Sequence, residues 1–200
     1  MAPLALVLLA AGAGRRMRGG DKLLEEVDGV ALLRHLALQA LAAGLDAVAV
    51  TLRPDAPARA AALQGLSLSI LPVPDADAGM SASLKAAAAW AIRLGAGGLM
   101  ICPADLPELT ARDFATLARA FDPDGPPVRA TARDGTPGHP VIFPARLLPG
   151  FAVLQGDRGA QPLLARHTPR LIALPARHAT TDLDTPEDWA AWHARRRRRP

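Results

Sequence analysis

Leu4-Ala5-Leu6-Val7-Leu8-Leu9-Ala10-Ala11-Gly12-Ala13-Gly14-Arg15-Arg16-Met17-Arg18-Gly19-Gly20-Asp21-Lys22 opens the chain with an apolar run, residues 4–10, that stops in a basic, glycine-rich loop. An unbroken apolar run of strand length, bounded by glycine, predicts a strand buried on both faces. The same pattern recurs along the chain. Strands are predicted at 47–52, 66–71 and 99–102, each ended by proline or a polar turn. Helices are predicted between them at 31–43, 56–63 and 81–94, with Gly44 and Gly95 as stops, and at 111–121 behind Thr110 as N-cap. Beyond these, strands at 128–132, 141–143 and 171–174 and helices at 160–166 and 186–195 are expected.

Apolar strands alternating with helices imply an α/β fold, three-layered and Rossmann-like, with a mostly parallel sheet covered by helices on both faces. Such sheets bind ligands at the carboxyl ends of their strands, so the loops after Ala10, Leu52, Leu71 and Cys102 should share one edge. No internal repeat or dividing linker is visible. Residues 1–194 therefore read as one domain and residues 195–200 as a basic, disordered tail.

Half of the 200 residues are hydrophobic, which excludes disorder by composition. No apolar stretch is long enough to span a bilayer, and the basic residues follow the first apolar run, the reverse of an export signal. One cysteine, Cys102, excludes an internal disulfide framework and suits a reducing compartment, so a cytoplasmic location is expected. The sequence pI of 10.4 suggests nucleic acid. Yet the formal charge of +4 becomes −1 once the five arginines Arg195 to Arg199 are set aside. With a nearly neutral body and no tyrosine, a nucleic-acid partner is not expected.

In the first loop, Gly12, Gly14, Gly19 and Gly20 stand among Arg15, Arg16, Arg18 and Lys22. Glycines let backbone N–H groups converge on an anion, and guanidinium and ammonium groups suit phosphate oxygens. The Gly-Lys-Ser/Thr of a P-loop is absent, and the Rossmann fingerprint fails at Met17. A generic polar turn is the alternative reading.

The residue order Leu9 to Met17 followed by Asp21-Lys22-Leu23-Leu24 resembles the signature of the molybdenum-cofactor nucleotidyltransferases, molybdopterin cytidylyltransferase-like enzymes similar in fold to sugar-phosphate nucleotidyltransferases. The resemblance runs to about Trp192. It implies that Leu9, Ala10, Ala11, Gly12 and Gly14 wrap the nucleotide phosphates, and that Arg16 and Lys22 neutralise them. Arg18 stands where that family usually has glycine, and Val30-Ala31 where it has a basic-Pro pair.

Asp105, set between Pro103 and Pro107 just past a predicted buried strand, fits the Mg²⁺ preference for one or two carboxylates plus phosphate oxygens. Capping the next turn is its alternative job, though Thr110 is the better cap. Thr185, Pro186 and Asp188 read as a capping box, which leaves Asp182 and Asp184 over. By resemblance the second metal ligand comes from this segment: Asp182, or else Asp184.

Gly79-Met80-Ser81-Ala82-Ser83-Leu84 opens a helix and offers an anion- or base-binding end, or simple N-capping by Ser81. It resembles a motif of the cytidylyl branch, and Ala11 stands where the guanylyl branch carries glycine. Gly79, Ser81 and Ser83 are therefore expected at the nucleotide, with CTP favoured over GTP. His139, Asp157 and Arg158 lie in two turns that resemble acceptor-side motifs, although a histidine in a Pro/Gly turn is more often a packing residue.

The resemblance implies transfer of CMP from CTP to the phosphate of a molybdopterin-type acceptor. Pyrophosphate leaves, Mg²⁺ is the cofactor, Arg16, Lys22 and Asp105 are the catalytic residues, and a molybdoenzyme receives the product. The rival readings are GTP or another phosphorylated acceptor, and a cofactor chaperone that binds without turnover.

Overall fold

The structure, a computed structural model, describes residues 2–12 and 20–197. In chain order its elements are β1 (Leu4–Leu9), β2 (Glu26–Val27), β3 (Val30–Ala31), α1 (Leu32–Ala42), β4 (Ala47–Leu52), α2 (Pro57–Ala62), β5 (Ser69–Pro72), α3 (Met80–Arg93), β6 (Gly98–Pro103), α4 (Ala111–Ala120), β7 (Val128–Thr131), β8 (Pro137–Pro144), α5 (Gln161–Arg166), β9 (Arg170–Ala173) and α6 (Pro186–Arg197). Short 3₁₀ segments cover Ala76–Ala78 and Ala145–Val153.

A seven-stranded sheet has the order β5-β4-β1-β6-β8-β7-β9. β8 pairs antiparallel with β6 and β7, and every other pairing in that sheet is parallel. The mostly parallel α/β sheet read from the sequence is present. β1 shows why its residues are all apolar. Leu6 and Leu8 pack on one side with α1, α4 and α6, while Ala5 and Val7 pack on the other with α3 and α5. β6 divides the same way, Met100 and Cys102 against Leu99 and Ile101. Successive side chains point to opposite faces, so a strand covered on both faces must be apolar at every position.

Three departures from the sequence expectations have local causes. Residues 66 and 68, expected in a strand, lie in a turn closed by Leu66 N–H on the Leu63 carbonyl, and β5 begins only at Ser69. β2 and β3 form an unanticipated hairpin about Asp28-Gly29, whose φ values of 53° and 81° suit a two-residue turn. The expected basic tail from Arg195 is helical to Arg197: Arg196 lies 4.7 Å over the Trp192 ring and pairs with Asp28 at 2.8 Å, so helix and hairpin hold it in place. Residues 198–200 lie outside the described residues. Among the described residues, no helix is long and apolar enough to cross a membrane.

Both predicted caps are present. Thr110 and Asp113 close a capping box on α4, and Thr185 and Asp188 exchange bonds of 3.0 and 3.2 Å at the start of α6.

Candidate active site

A cleft of about 980 Å³ lies along the carboxyl ends of β1 and β6. The exit of β1 is held from both sides. Ala10 N–H donates to Thr51 on β4, and Ala104 N–H, just past β6, donates to the Leu9 carbonyl at 3.1 Å. Leu9, Ala10, Ala11 and Gly12 thereby become one wall of the cleft. Gly14 and Arg16 lie outside the described residues, as does Arg18.

Lys22 returns into the same cleft. Its ammonium donates to Asp105 Oδ2 at 2.6 Å and to Asp184 Oδ1 at 2.5 Å. Burial by itself lowers the Lys22 pKa, but the charges and hydrogen bonds of Asp105 and Asp184 more than reverse this and hold it above its ordinary value. Lys22 is therefore a fixed cation, with no role as a base. Of the two aspartates left over after capping, the structure joins Asp184 to Asp105. Asp182 lines the cleft with an exposed side chain and takes no bond from Lys22. Asp105 and Asp184 share one ammonium, so they already define a cation position between them. An all-oxygen pair completed by phosphate oxygens suits Mg²⁺ or Mn²⁺. Among the described residues, no group of three or more His, Cys, Asp or Glu side chains is placed to hold a metal ion.

The loop has an anchor the sequence reading missed. Arg59, on α2 and 6% exposed, donates to the carbonyls of Ala10 and Gly12 at 2.7 and 2.8 Å. It also grips both oxygens of Asp21, at 2.7 and 3.0 Å. It ties the outgoing end of the loop to the residue that precedes Lys22. The available signal was a single charged residue in an otherwise apolar helix, Pro57-Ala58-Arg59-Ala60-Ala61-Ala62.

The start of α3 is already occupied by its own neighbours. Met80 N–H donates to Asp157 Oδ1 at 3.0 Å, and Ser81 N–H to the Gly156 carbonyl at 3.0 Å. Asp157 thus caps a helix, which gives it a structural job beside its expected place near an acceptor. Ser81 is buried and turns its hydroxyl to the Ala78 carbonyl, while Gly79 and Ser83 line the cleft. Ser81 and Arg158 are not among the cleft-lining residues, and Arg158 is exposed. Gly79 adopts φ +92°, and a Cβ there would stand 2.5 Å from Asp157 Oδ1 and 2.8 Å from the Gly156 carbonyl carbon. Gly79→Ala is expected to cost about 2 kcal/mol in urea unfolding, since strain and clash act together.

His139 lines the far side of the cleft with Arg129. Burial, reinforced by the charge of Arg129, takes its imidazole down to about 4, so it is neutral at neutral pH. The unfolded chain protonates near 6.5 and the folded one only near 4. Stability on this account is full above 6.5 and falls as pH drops towards 4, by up to about 3 kcal/mol. An imidazole NMR titration with a midpoint near 6.5 would refute this. Cys102, fully buried, has its thiol pushed well up and stays protonated.

Residues 6–171 match the family described as MobA-like NTP transferase domain. A molybdenum cofactor guanylyltransferase of Cereibacter sphaeroides is 30% identical over 188 residues, 92% of each chain. The purine catabolism protein PucB of Bacillus subtilis is 31% identical over 194 residues, again 92% of each. The crystal structure of Rv0371c from Mycobacterium tuberculosis superposes with a TM-score of 0.82 at 27% identity, covering 95% of this chain and 96% of that one. A further structure of that protein is a complex with manganese, at 26% identity, a TM-score of 0.77 and coverage of 94% and 97%. The chain belongs to the MobA-like NTP transferase family.

Proposed function

We propose that this chain transfers a nucleoside monophosphate from a nucleoside triphosphate, CTP in the first instance, to the terminal phosphate of a molybdopterin-type acceptor. The carrying observation is Lys22 held between Asp105 and Asp184 at the mouth of the glycine-rich loop. The named relatives with molybdenum-cofactor activity support the acceptor class.

An oxygen of the acceptor phosphate forms a bond to the α-phosphorus. The bond from α-phosphorus to the bridging oxygen breaks, and pyrophosphate leaves with the electron pair. The wall formed by Leu9, Ala10, Ala11 and Gly12 meets the triphosphate, and Gly14 and Arg16 bind its phosphates. Lys22 neutralises the departing pyrophosphate. Such a transfer depends on positioning and on charge stabilisation, with no covalent intermediate on the protein. A divalent cation held by Asp105 and Asp184, with Asp182 at the rim, supplies further neutralisation of the phosphates when bound.

Ala11 supports CTP: it is 2% exposed and lines the cleft, so its methyl group fills space where the guanylyl branch has none. The names of the relatives favour GTP as a second reading. Incubation with each α-labelled triphosphate, the acceptor and Mg²⁺ or Mn²⁺ separates the two. Label is expected to pass from CTP into a dinucleotide. Transfer from GTP alone moves the chain to the guanylyl branch, and transfer from none refutes the reading.

A further inference from the structure

The cations of the cleft are not equivalent. Lys22 is matched by Asp105 and Asp184, and Arg59 by Asp21. Arg129, on β7, lines the same cleft and has no carboxylate within ion-pair distance among the described residues. Its Nε donates to the Gly138 carbonyl at 3.1 Å, which orients the guanidinium, and among the described residues its terminal nitrogens donate to no protein acceptor. Burial lowers its pKa. Arg129 is half-buried, and a guanidinium with no carboxylate partner can offer its terminal nitrogens to an anion in the cleft.

The surroundings are polar and rigid. His139, the next residue after Gly138, presents a neutral ring with a buried, unpartnered Nδ1. Thr136 and Thr180 add hydroxyls to the same wall. β8, which bears His139, is held there by His139 N–H on the Ala179 carbonyl at 2.9 Å. In the sheet, β7 is three strands from β1, about 14 Å at ordinary strand spacing, with Asp105 at the end of the intervening β6. In the sheet order β1 and β7 thus lie on opposite sides of β6.

We infer that Arg129, supported by His139, is the binding point for a phosphate monoester, the attacking group of the acceptor. A guanidinium fork matches the dianion, and its charge offsets the repulsion between acceptor phosphate and triphosphate. This rests on the nucleotidyl-transfer reading for its role but not for its chemistry.

The test is a phosphorus NMR titration of inorganic phosphate into the full chain, with acetate as the carboxylate control. Arg129→Gln is expected to weaken phosphate binding at least tenfold and Arg129→Lys less, while labelled triphosphate binding in equilibrium dialysis stays within twofold of wild type. Unchanged phosphate binding in Arg129→Gln, acetate binding as tight as phosphate, or a folded Arg129→Gln that loses the triphosphate each overturns the inference. If that variant does not fold, phenylglyoxal labelling of wild-type Arg129 decides: protection by phosphate supports the inference and its absence overturns it. If the wild type binds no triphosphate but its phosphate site still depends on Arg129, the nucleotidyl reading falls and the anion site stands.

Discussion

Asp105→Asn is expected to lower pyrophosphate release by about a thousandfold while leaving the melting temperature within a few degrees of wild type. Asp105 stands at the end of the central strand β6, directed by Pro103 and the Ala104–Leu9 hydrogen bond into the cleft. Its side chain is 18% exposed, and the isosteric amide keeps that packing while Lys22 retains Asp184. Its contribution is charge. With an amide there, Lys22 keeps Asp184 as partner, but the cation position between the two acids loses half its negative charge. Loss of one preorganised charged group at a phosphoryl centre costs about 10² to 10³ in rate. The variant should also bring the Lys22 pKa down, because Asp105 supplies both a charge and a hydrogen bond to it. Metal-dependent release at the wild-type rate would remove Asp105 from the chemistry.

The second large effect lies outside the cleft's acids. Arg59→Ala takes the guanidinium from the buried Ala10 carbonyl, the part-buried Gly12 carbonyl and the Asp21 carboxylate. Breaking a buried charged pair from one side costs about 3 kcal/mol or more. The Asp21 side chain is 28% exposed and recovers some hydration, so a loss of about 3 kcal/mol is expected in chemical denaturation. Triphosphate affinity should fall in parallel, because the residues on either side of residues 13–19 are both tied to Arg59. Arg59→Lys should recover only part of each loss: one ammonium cannot span two carbonyls and grip a carboxylate in two places. A loss under about 0.5 kcal/mol in Arg59→Ala is the result that would overturn this.

The two variants also separate two ways of failing. Asp105→Asn leaves a folded protein with an incomplete charge arrangement, whereas Arg59→Ala releases the Gly12 carbonyl and Asp21, on either side of residues 13–19. A nucleotide-binding assay should therefore respond far more to Arg59 than to Asp105 in the absence of metal.

Much of the architecture was legible because its causes are local. β1, β4 and β6 read as strands because a strand packed on both faces must be apolar throughout. The helices announced their ends through Gly44, Gly95, Thr110 and Thr185. Asp105 could be picked out for the same reason: an acid just past a buried strand of a parallel sheet has one edge to face. The short hairpin was equally local, written in Asp28-Gly29, and was overlooked because the flanking strands are too brief to show a period.

The sequence by itself determined the strand–helix alternation, the basic, glycine-rich composition of the first loop and the acid at the end of β6, since each depends on neighbours in the chain. Only the tertiary structure decided which acid meets Asp105, which arginine holds the loop and which arginine is left for an anion. Asp182 and Asp184 share one segment and both border the cleft; the selection of Asp184 comes from Lys22, 162 residues away. Arg59 sits 38 residues from Asp21 and reads as an ordinary helix residue until α2 packs beside β1. The unmatched charge of Arg129 can be recognised only once Lys22 and Arg59, the other described lysine and arginine of the cleft, have found their partners. Pairing between distant side chains is fixed by packing, and packing is a property of the folded chain.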